Sequence, residues 1–296
     1  MEIKRFTGVI TAILTVYDED LNVKKDTVKK LVDYQLQNGA SGFYVCGNTG
    51  ECTVLPAKTR KQMLEVVIES GEGRGDIIAH IGAGHLDETL DLLDHANKVG
   101  VDAVASLPPS LTSYYNMNET IDYYRMLAER SKAPVIAYIT GVLNGDPVEF
   151  AKRVSDIPGV SGIKLTIPNY YNFARVVAET GSRLNILNGP DETMLCGLSL
   201  GADGAIGTTY NFVPKLARGI YDAYMSGDML AAKERQHTLI VLISKLLGRR
   251  RGFWKAIMET MGFDMGHNVF PATPYTKDEI SALEAELRAY GFYELI

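Results

Sequence analysis

A lysine inside a buried strand is the residue of this chain best suited to covalent chemistry. Lys164 lies in Val160-Ser-Gly-Ile-Lys-Leu-Thr166, an apolar, glycine-containing run that reads as a strand covered on both faces. An ammonium in such a place either finds a permanent counter-ion or has its pKa lowered by desolvation, and the neutral amine is the form that attacks a ketone. Strand alternation sets Gly162, Lys164 and Thr166 on one face, where the small glycine and the threonine hydroxyl leave room around the amine. Lys164 therefore reads as a Schiff-base lysine. The bland alternative is a lysine that snorkels to the rim of its sheet or pairs with an acid from a neighbouring strand.

Other polar residues stand where apolar runs end. In Gly47-Asn-Thr-Gly-Glu51, two glycines around Asn48 and Thr49 suit a tight turn whose successive amides face one point, a nest for a carboxylate or phosphate; Thr49 as an ordinary helix cap explains the same residues. Asp191 and Glu192 could accept hydrogen bonds from a polyhydroxylated ligand, or simply complement the dipole of a helix start. Tyr138 closes an apolar run as a core tyrosine or as a proton relay. Gly201-Ala-Asp-Gly-Ala-Ile-Gly207 resembles a phosphate loop but spans a strand instead of following one, which argues against a dinucleotide. His80 and His85 with Glu51 lack the spacing of a metal site, so no metal is expected.

The elements that must position these residues follow from the apolar runs. Eight of them read as strands: Gly8 to Leu14, Gly42 to Cys46, Asp76 to Ile81, Val101 to Ala105, Pro134 to Ile139, Val160 to Thr166, Leu184 to Leu187 and Asp203 to Ile206. Helical periodicity fills the gaps, as in Lys25 to Asn38, Pro56 to Ser70, Leu86 to Val99 and Met117 to Ser131. Eight alternating βα units predict an α/β fold, a (β/α)8 TIM barrel. Such barrels carry chemistry at the C-terminal ends of their strands, and every candidate above falls there. Beyond the last strand the chain turns helical, with no linker rich in Pro, Gly or Ser. The expected organisation is a barrel over residues 1–225 and a C-terminal helical extension over residues 226–296 packed on it.

Bulk composition agrees. A chain of 296 residues, 46% hydrophobic and 22% charged, can bury a large core. No apolar run reaches the roughly 18 to 20 residues of a membrane span, and the N-terminus lacks signal-peptide features. Cys46, Cys52 and Cys196 are an odd count without zinc or disulfide spacing. The expectation is a soluble, cytoplasmic protein. A net charge of -6 argues against nucleic acid as a partner; the one basic cluster, Arg249 to Arg251, reads as a helix end or the start of a helix hairpin, and Trp254 beside it as packed core.

Taken together these residues resemble the pyruvate-dependent class I aldolase family that includes N-acetylneuraminate lyase and 4-hydroxy-tetrahydrodipicolinate synthase. The likeness spans nearly the whole chain. Gly47 to Glu51 match the family's G-x-T-G-E turn, Tyr138 its strand-five tyrosine, and Gly162 to Thr166 its G-x-K-x-T strand. Asn188-Gly-Pro-Asp-Glu192 and the run from Gly201 to Asn211 are similar to the lyase branch. The synthase branch expects an arginine shortly after the strand-five tyrosine, and Tyr138 to Gly145 contain none.

The resemblance implies that Lys164 forms the Schiff base and that Tyr138 relays protons. It implies that Asn48 and Thr49 hold the keto-acid carboxylate, and that Thr166, Gly189, Asp191, Glu192 and Thr208 bind sugar hydroxyls. A second tyrosine, Tyr114 or Tyr115, would come from the loop after strand four. Three departures stand out: Asn48 where the lyases carry serine, Thr208 in place of serine, and an insertion in Pro108 to Tyr115. The implied reaction is reversible cleavage of N-acetylneuraminate to N-acetylmannosamine and pyruvate, by a homotetramer without metal or nucleotide. Rival readings are a relative acting on another 2-keto-3-deoxy sugar acid, the synthase, and a non-catalytic barrel that binds a keto acid.

Overall fold

A computed structural model describes residues 4–108, 115–140 and 145–296. Eight parallel strands, β1 (Gly8–Ala12), β2 (Gly42–Val45), β3 (Asp76–His80), β4 (Ala103–Ser106), β5 (Val135–Thr140), β6 (Val160–Thr166), β7 (Asn185–Asn188) and β8 (Gly204–Gly207), pair in sequence order and close into a barrel. The helices between them are α1 (Lys25–Gln37), α2 (Ala57–Gly71), α3 (Leu86–Val99), α4 (Met117–Arg130), α5 (Pro147–Ser155), α6 (Tyr170–Thr180) and α7 (Met194–Ser199). After β8 come α8 (Pro214–Met225), α9 (Met229–Leu246), α10 (Phe253–Thr260) and α11 (Lys277–Ala289). The fold is a TIM barrel followed by C-terminal helices.

Two separate cores follow from strand alternation. Ile10, Ala12, Ile78, Ala105, Ile136 and Ile206 point inward and fill the barrel, with Phe6 among them at its N-terminal end. Their chain neighbours, such as Val9, Phe43, Val104, Ile163 and Leu165, point outward against the helices. Continuous apolar runs are thus required on every strand, and Lys164 is conspicuous because it interrupts one. Its strand has the expected limits. Gly162, however, does not serve to clear space for the amine: a Cβ there would lie 2.9 Å from the Asn185 carbonyl oxygen and 3.4 Å from Ile136, so this glycine lets β6 seat against β7.

Strand β1 ends earlier than its apolar run, because pairing with β2 stops at Ala12 and Tyr44. Ile13 and Leu14 remain buried beyond the ladder. The basic cluster connects α9 to α10, where Arg249 pairs with Glu286 and Arg250 with Glu279 on α11. Trp254 stacks on Phe212 with ring centroids 5.8 Å apart. Cys46 and Cys52 are buried, Cys196 is exposed, and all three are free. No helix among the described residues is long and apolar enough to cross a membrane.

Candidate active site

Lys164 is 6% exposed, yet among the described residues it has no hydrogen bond and no carboxylate partner. Its Nζ lies 4.3 Å from the ring centroid of Tyr138 and 4.6 Å from that of Tyr44. No carboxylate among the described residues therefore forms a contact pair with this lysine, and Asp191 acts on it only at longer range. Tyr138 is its register partner on β5, so strand pairing itself brings phenol and amine together. The Tyr138 backbone is steadied by Tyr124, whose hydroxyl donates to the Ser106 carbonyl at 2.7 Å and accepts from the Tyr138 amide at 3.3 Å.

Tyr44 was not singled out from the sequence. It is buried and points inward from β2, its ring edge-on to Tyr138, and its hydroxyl has no hydrogen-bond partner among the described residues. Burial, reinforced by Tyr138, pushes its phenol well above the ordinary tyrosine range. The available signal was positional: Tyr44 is the inward residue of the strand that leads into the Gly47 turn.

That turn is bracketed by two non-glycine residues in the left-handed region, Cys46 at φ 57° and Glu51 at φ 65°. Backbone of this kind makes amide nests and is costly unless its surroundings hold it. The Glu51 amide donates to the Asn48 carbonyl and the Cys52 amide to that of Gly47, while the amides of Asn48, Thr49 and Gly50 donate to nothing among the described residues. The Asn48 side chain is exposed and accepts from the Cys52 thiol at 3.4 Å. The Thr49 hydroxyl bonds that of Thr208 at 2.7 Å, joining the turn after β2 to the segment after β8.

Across the mouth, Thr166 lies 3.5 Å from the Tyr138 hydroxyl. A Cβ on Gly189 would come within 1.9 Å of the Thr166 Oγ1, so only glycine fits beside it. Asp191, which opens the short 3-10 turn ahead of α7, has both carboxylate oxygens engaged. One of its oxygens accepts from the Thr208 amide at 3.2 Å, and the other from the Thr209 amide and hydroxyl at 2.6 Å each. Burial lifts its carboxyl to about 6, opposed by these bonds and reinforced by Glu192. Asp191 thus spends its oxygens holding Thr208 and Thr209, whereas the neighbouring Glu192 is exposed to the cavity.

Two adjoining cavities open at this end of the barrel. One, of 560 Å³, is lined by Thr166, Gly189, Asp191, Glu192, Thr208 and Trp254. The other, of 620 Å³, is lined by Asn48, Thr49, Thr208, Arg251, Trp254 and Lys255. The C-terminal helices contribute more than cover. Gln236 of α9 donates to the Asp191 and Glu192 carbonyls and accepts from the Leu195 amide, fixing the turn that carries both acids. Sequence reading missed it, because a lone polar residue on a helix has no local signal.

Tyr115 is described, directly ahead of the Asn116 cap of α4, and is part exposed; Tyr114 lies outside the described residues. His80 is a buried core histidine, bonded to the Cys46 carbonyl and the Leu107 amide, and burial holds its ring nitrogen well below the ordinary range. No group of three His, Cys, Asp or Glu side chains among the described residues could hold a metal.

Comparison with known proteins adds an independent line. The profile of the Dihydrodipicolinate synthetase family matches residues 5–290. An N-acetylneuraminate lyase of Escherichia fergusonii is 33% identical over 232 residues, covering 77% of each chain. Among solved structures, the N-acetylneuraminate lyase (sialic acid aldolase) of Aliivibrio salmonicida superposes with a TM-score of 0.90 at 26% identity, covering 98% of both chains. The Proteus mirabilis N-acetylneuraminate lyase gives 0.89 at 26%, covering 98% of this chain and 100% of that one.

Proposed function

The chain belongs to the dihydrodipicolinate synthetase family, and from that membership we propose that it is a Schiff-base aldolase that cleaves N-acetylneuraminate reversibly to N-acetylmannosamine and pyruvate. The observation that carries this reading is Lys164, buried without a carboxylate partner among the described residues and packed against the ring of Tyr138. A buried amine free of an ion pair is available as a nucleophile.

In the proposed cycle the Lys164 amine attacks the C2 ketone of the open-chain sugar acid, water leaves, and the resulting iminium draws electrons from the breaking C3–C4 bond. Tyr138, with the substrate carboxylate, takes the proton of the C4 hydroxyl. N-Acetylmannosamine departs, the enamine is protonated at C3, and hydrolysis frees pyruvate and the amine. Because the iminium is itself the electron sink, the reaction as proposed uses no metal or nucleotide. The free amides at Asn48 and Thr49 suit the keto-acid carboxylate. Thr166, Gly189, Glu192 and Thr208 line the cavity assigned to the sugar chain, with Asp191 acting on it mainly through Thr208. We extend the reading to a cytoplasmic homotetramer, the assembly to be checked by light scattering.

A second reading, another 2-keto-3-deoxy sugar acid, draws on Asn48 and on the engaged oxygens of Asp191. One experiment addresses both. The protein is incubated with N-acetylneuraminate or with pyruvate, reduced with borohydride, and its peptides are weighed. A reduced pyruvyl group on the Lys164 peptide in both samples, absent from Lys164→Ala, is the expected result. Adduct from pyruvate alone would keep the mechanism and reject this sugar; no adduct in either would remove Lys164 from its role.

A further inference from the structure

A second buried lysine is tied to the turn proposed to receive the keto acid. Lys255, on α10, is 2% exposed. Its Nζ donates to the His267 carbonyl at 2.7 Å, lies 3.8 Å from the Glu51 carboxylate and sits 3.7 Å from the ring centroid of Tyr17. The same Glu51 oxygen accepts from the Tyr17 hydroxyl, which in turn accepts from the Val269 amide. The Tyr17 backbone is bound by the His267 amide at 2.8 Å. Lys255, Glu51 and Tyr17 thus form one closed polar cluster beneath the last residue of the Gly47 turn.

Glu51 is the left-handed residue that ends this turn. A buried carboxylate is tolerated only when paired and hydrogen-bonded, so the cluster fixes where its side chain, and hence its backbone, can be. Thr15 fastens the turn as well, its hydroxyl donating to the Gly50 carbonyl at 2.8 Å, and so does the Thr49–Thr208 bond. Lys255 also lines the cavity shared by Asn48 and Thr49.

We propose that Lys255 is a positioning residue: with Glu51 and Tyr17 it holds the Gly47 to Glu51 turn in the shape that accepts the keto-acid carboxylate, so that keto-acid affinity depends on a cation supplied by the C-terminal helices. This rests on the Schiff-base reading given above. Burial lowers the Lys255 ammonium to about 8, against the opposing pull of Glu51 and Glu259. The charged and titratable groups around it are Glu51 on the turn, Tyr17 after β1, Glu259 on its own helix and Arg251 just ahead of it. A lysine with a lowered pKa is cationic below that value and neutral above it, so its contribution is present at neutral pH and fades as pH rises through about 8.

The test is borohydride trapping of pyruvate on the full chain, followed against pyruvate concentration and pH. In Lys255→Met, half-saturating pyruvate should rise roughly tenfold at neutral pH, the scale of a lost charge-assisted contact, with the maximal trapping rate unchanged. The ratio between variant and wild type should shrink towards one above about pH 9, a convergence that mere loosening of the fold would not produce. Lys255→Arg should recover part of the affinity, and Tyr17→Phe, which keeps the ring, should lose part of it. Half-saturation within about twofold of wild type, or a loss confined to the maximal rate, overturns the proposal. Should wild type trap no pyruvate, the Schiff-base reading fails by itself. Amide exchange then decides the inference: faster exchange at residues 47–52 in Lys255→Met supports it, and unchanged exchange sinks it.

Discussion

Replacing Asp191 by asparagine separates the cost of a buried charge from the value of the bonds it makes. An ordinary aspartate titrates near 3.8, whereas burial lifts Asp191 to about 6. Between those values the folded protein keeps a proton that the unfolded chain has released. Stability from this group is therefore fully present below 3.8 and is lost as pH rises through about 6. The whole gap is worth about 3 kcal/mol, with roughly half of the loss falling below pH 5 and half between pH 5 and pH 8. An asparagine in its place would not titrate. The amide oxygen of that side chain can keep the two Thr209 donors while its nitrogen faces the Thr208 amide, which adds an offset that does not vary with pH. Urea titrations of both proteins from pH 5 to pH 8 should show Asp191→Asn gaining on the order of 1 kcal/mol on wild type across that window. Curves that run parallel would refute the argument, because they would mean that Asp191 is ionised at no cost. Pyruvate trapping at Lys164 should be spared, while KM for the sugar acid rises through the disturbed Thr208.

Two further substitutions probe the phenols around the amine. Tyr138→Phe should leave pyruvate trapping intact and lower kcat for sugar cleavage by about 10² to 10⁴, the usual range for a lost proton relay; unchanged turnover would assign the proton to another group. Tyr44→Phe removes a buried hydroxyl without a partner among the described residues, so stability should stay level or rise by about 1 kcal/mol in thermal or urea unfolding, and a clear loss would mean that the hydroxyl is satisfied in solution.

The barrel and the buried lysine in its sixth strand were legible in the sequence because both are written locally. Eight apolar runs at βα spacing can only close or stack as a parallel sheet, and a lysine inside one of them stands out whatever the neighbours are. The sixth strand was read to the residue; β1 was read two positions too long, since burial continues past the point where ladder pairing stops, at Ile13 and Leu14, and β4 was read two positions early, because Val101 and Asp102 are only half-buried and precede the ladder with β3. Less was legible where tertiary contact decides. Gly162 was assigned to the amine, but its neighbour is the Asn185 backbone. Asp191 was weighed as a ligand for hydroxyls or as a helix-start acid; it does open the short 3-10 turn ahead of α7, but its bonds to amides after another strand had no local signal. Gln236 and Lys255 reach the site from helices that no sequence pattern connects to it.

The pairing of Tyr138 with Lys164 across one rung of the β5–β6 ladder has a consequence for how such a protein can be altered. Adjacent strands keep a spacing of about 4.8 Å that side chains hardly change, so the distance between phenol and amine belongs to the frame of the barrel. The walls that would sort one sugar acid from another belong to connecting segments and to α9 and α10. Exchange of those segments between relatives, or random diversification confined to them, should alter which aldehyde is released while the proposed bond-breaking pair stays aligned. Diversification of β5 or β6 should do the reverse, yielding inactive barrels that still fold.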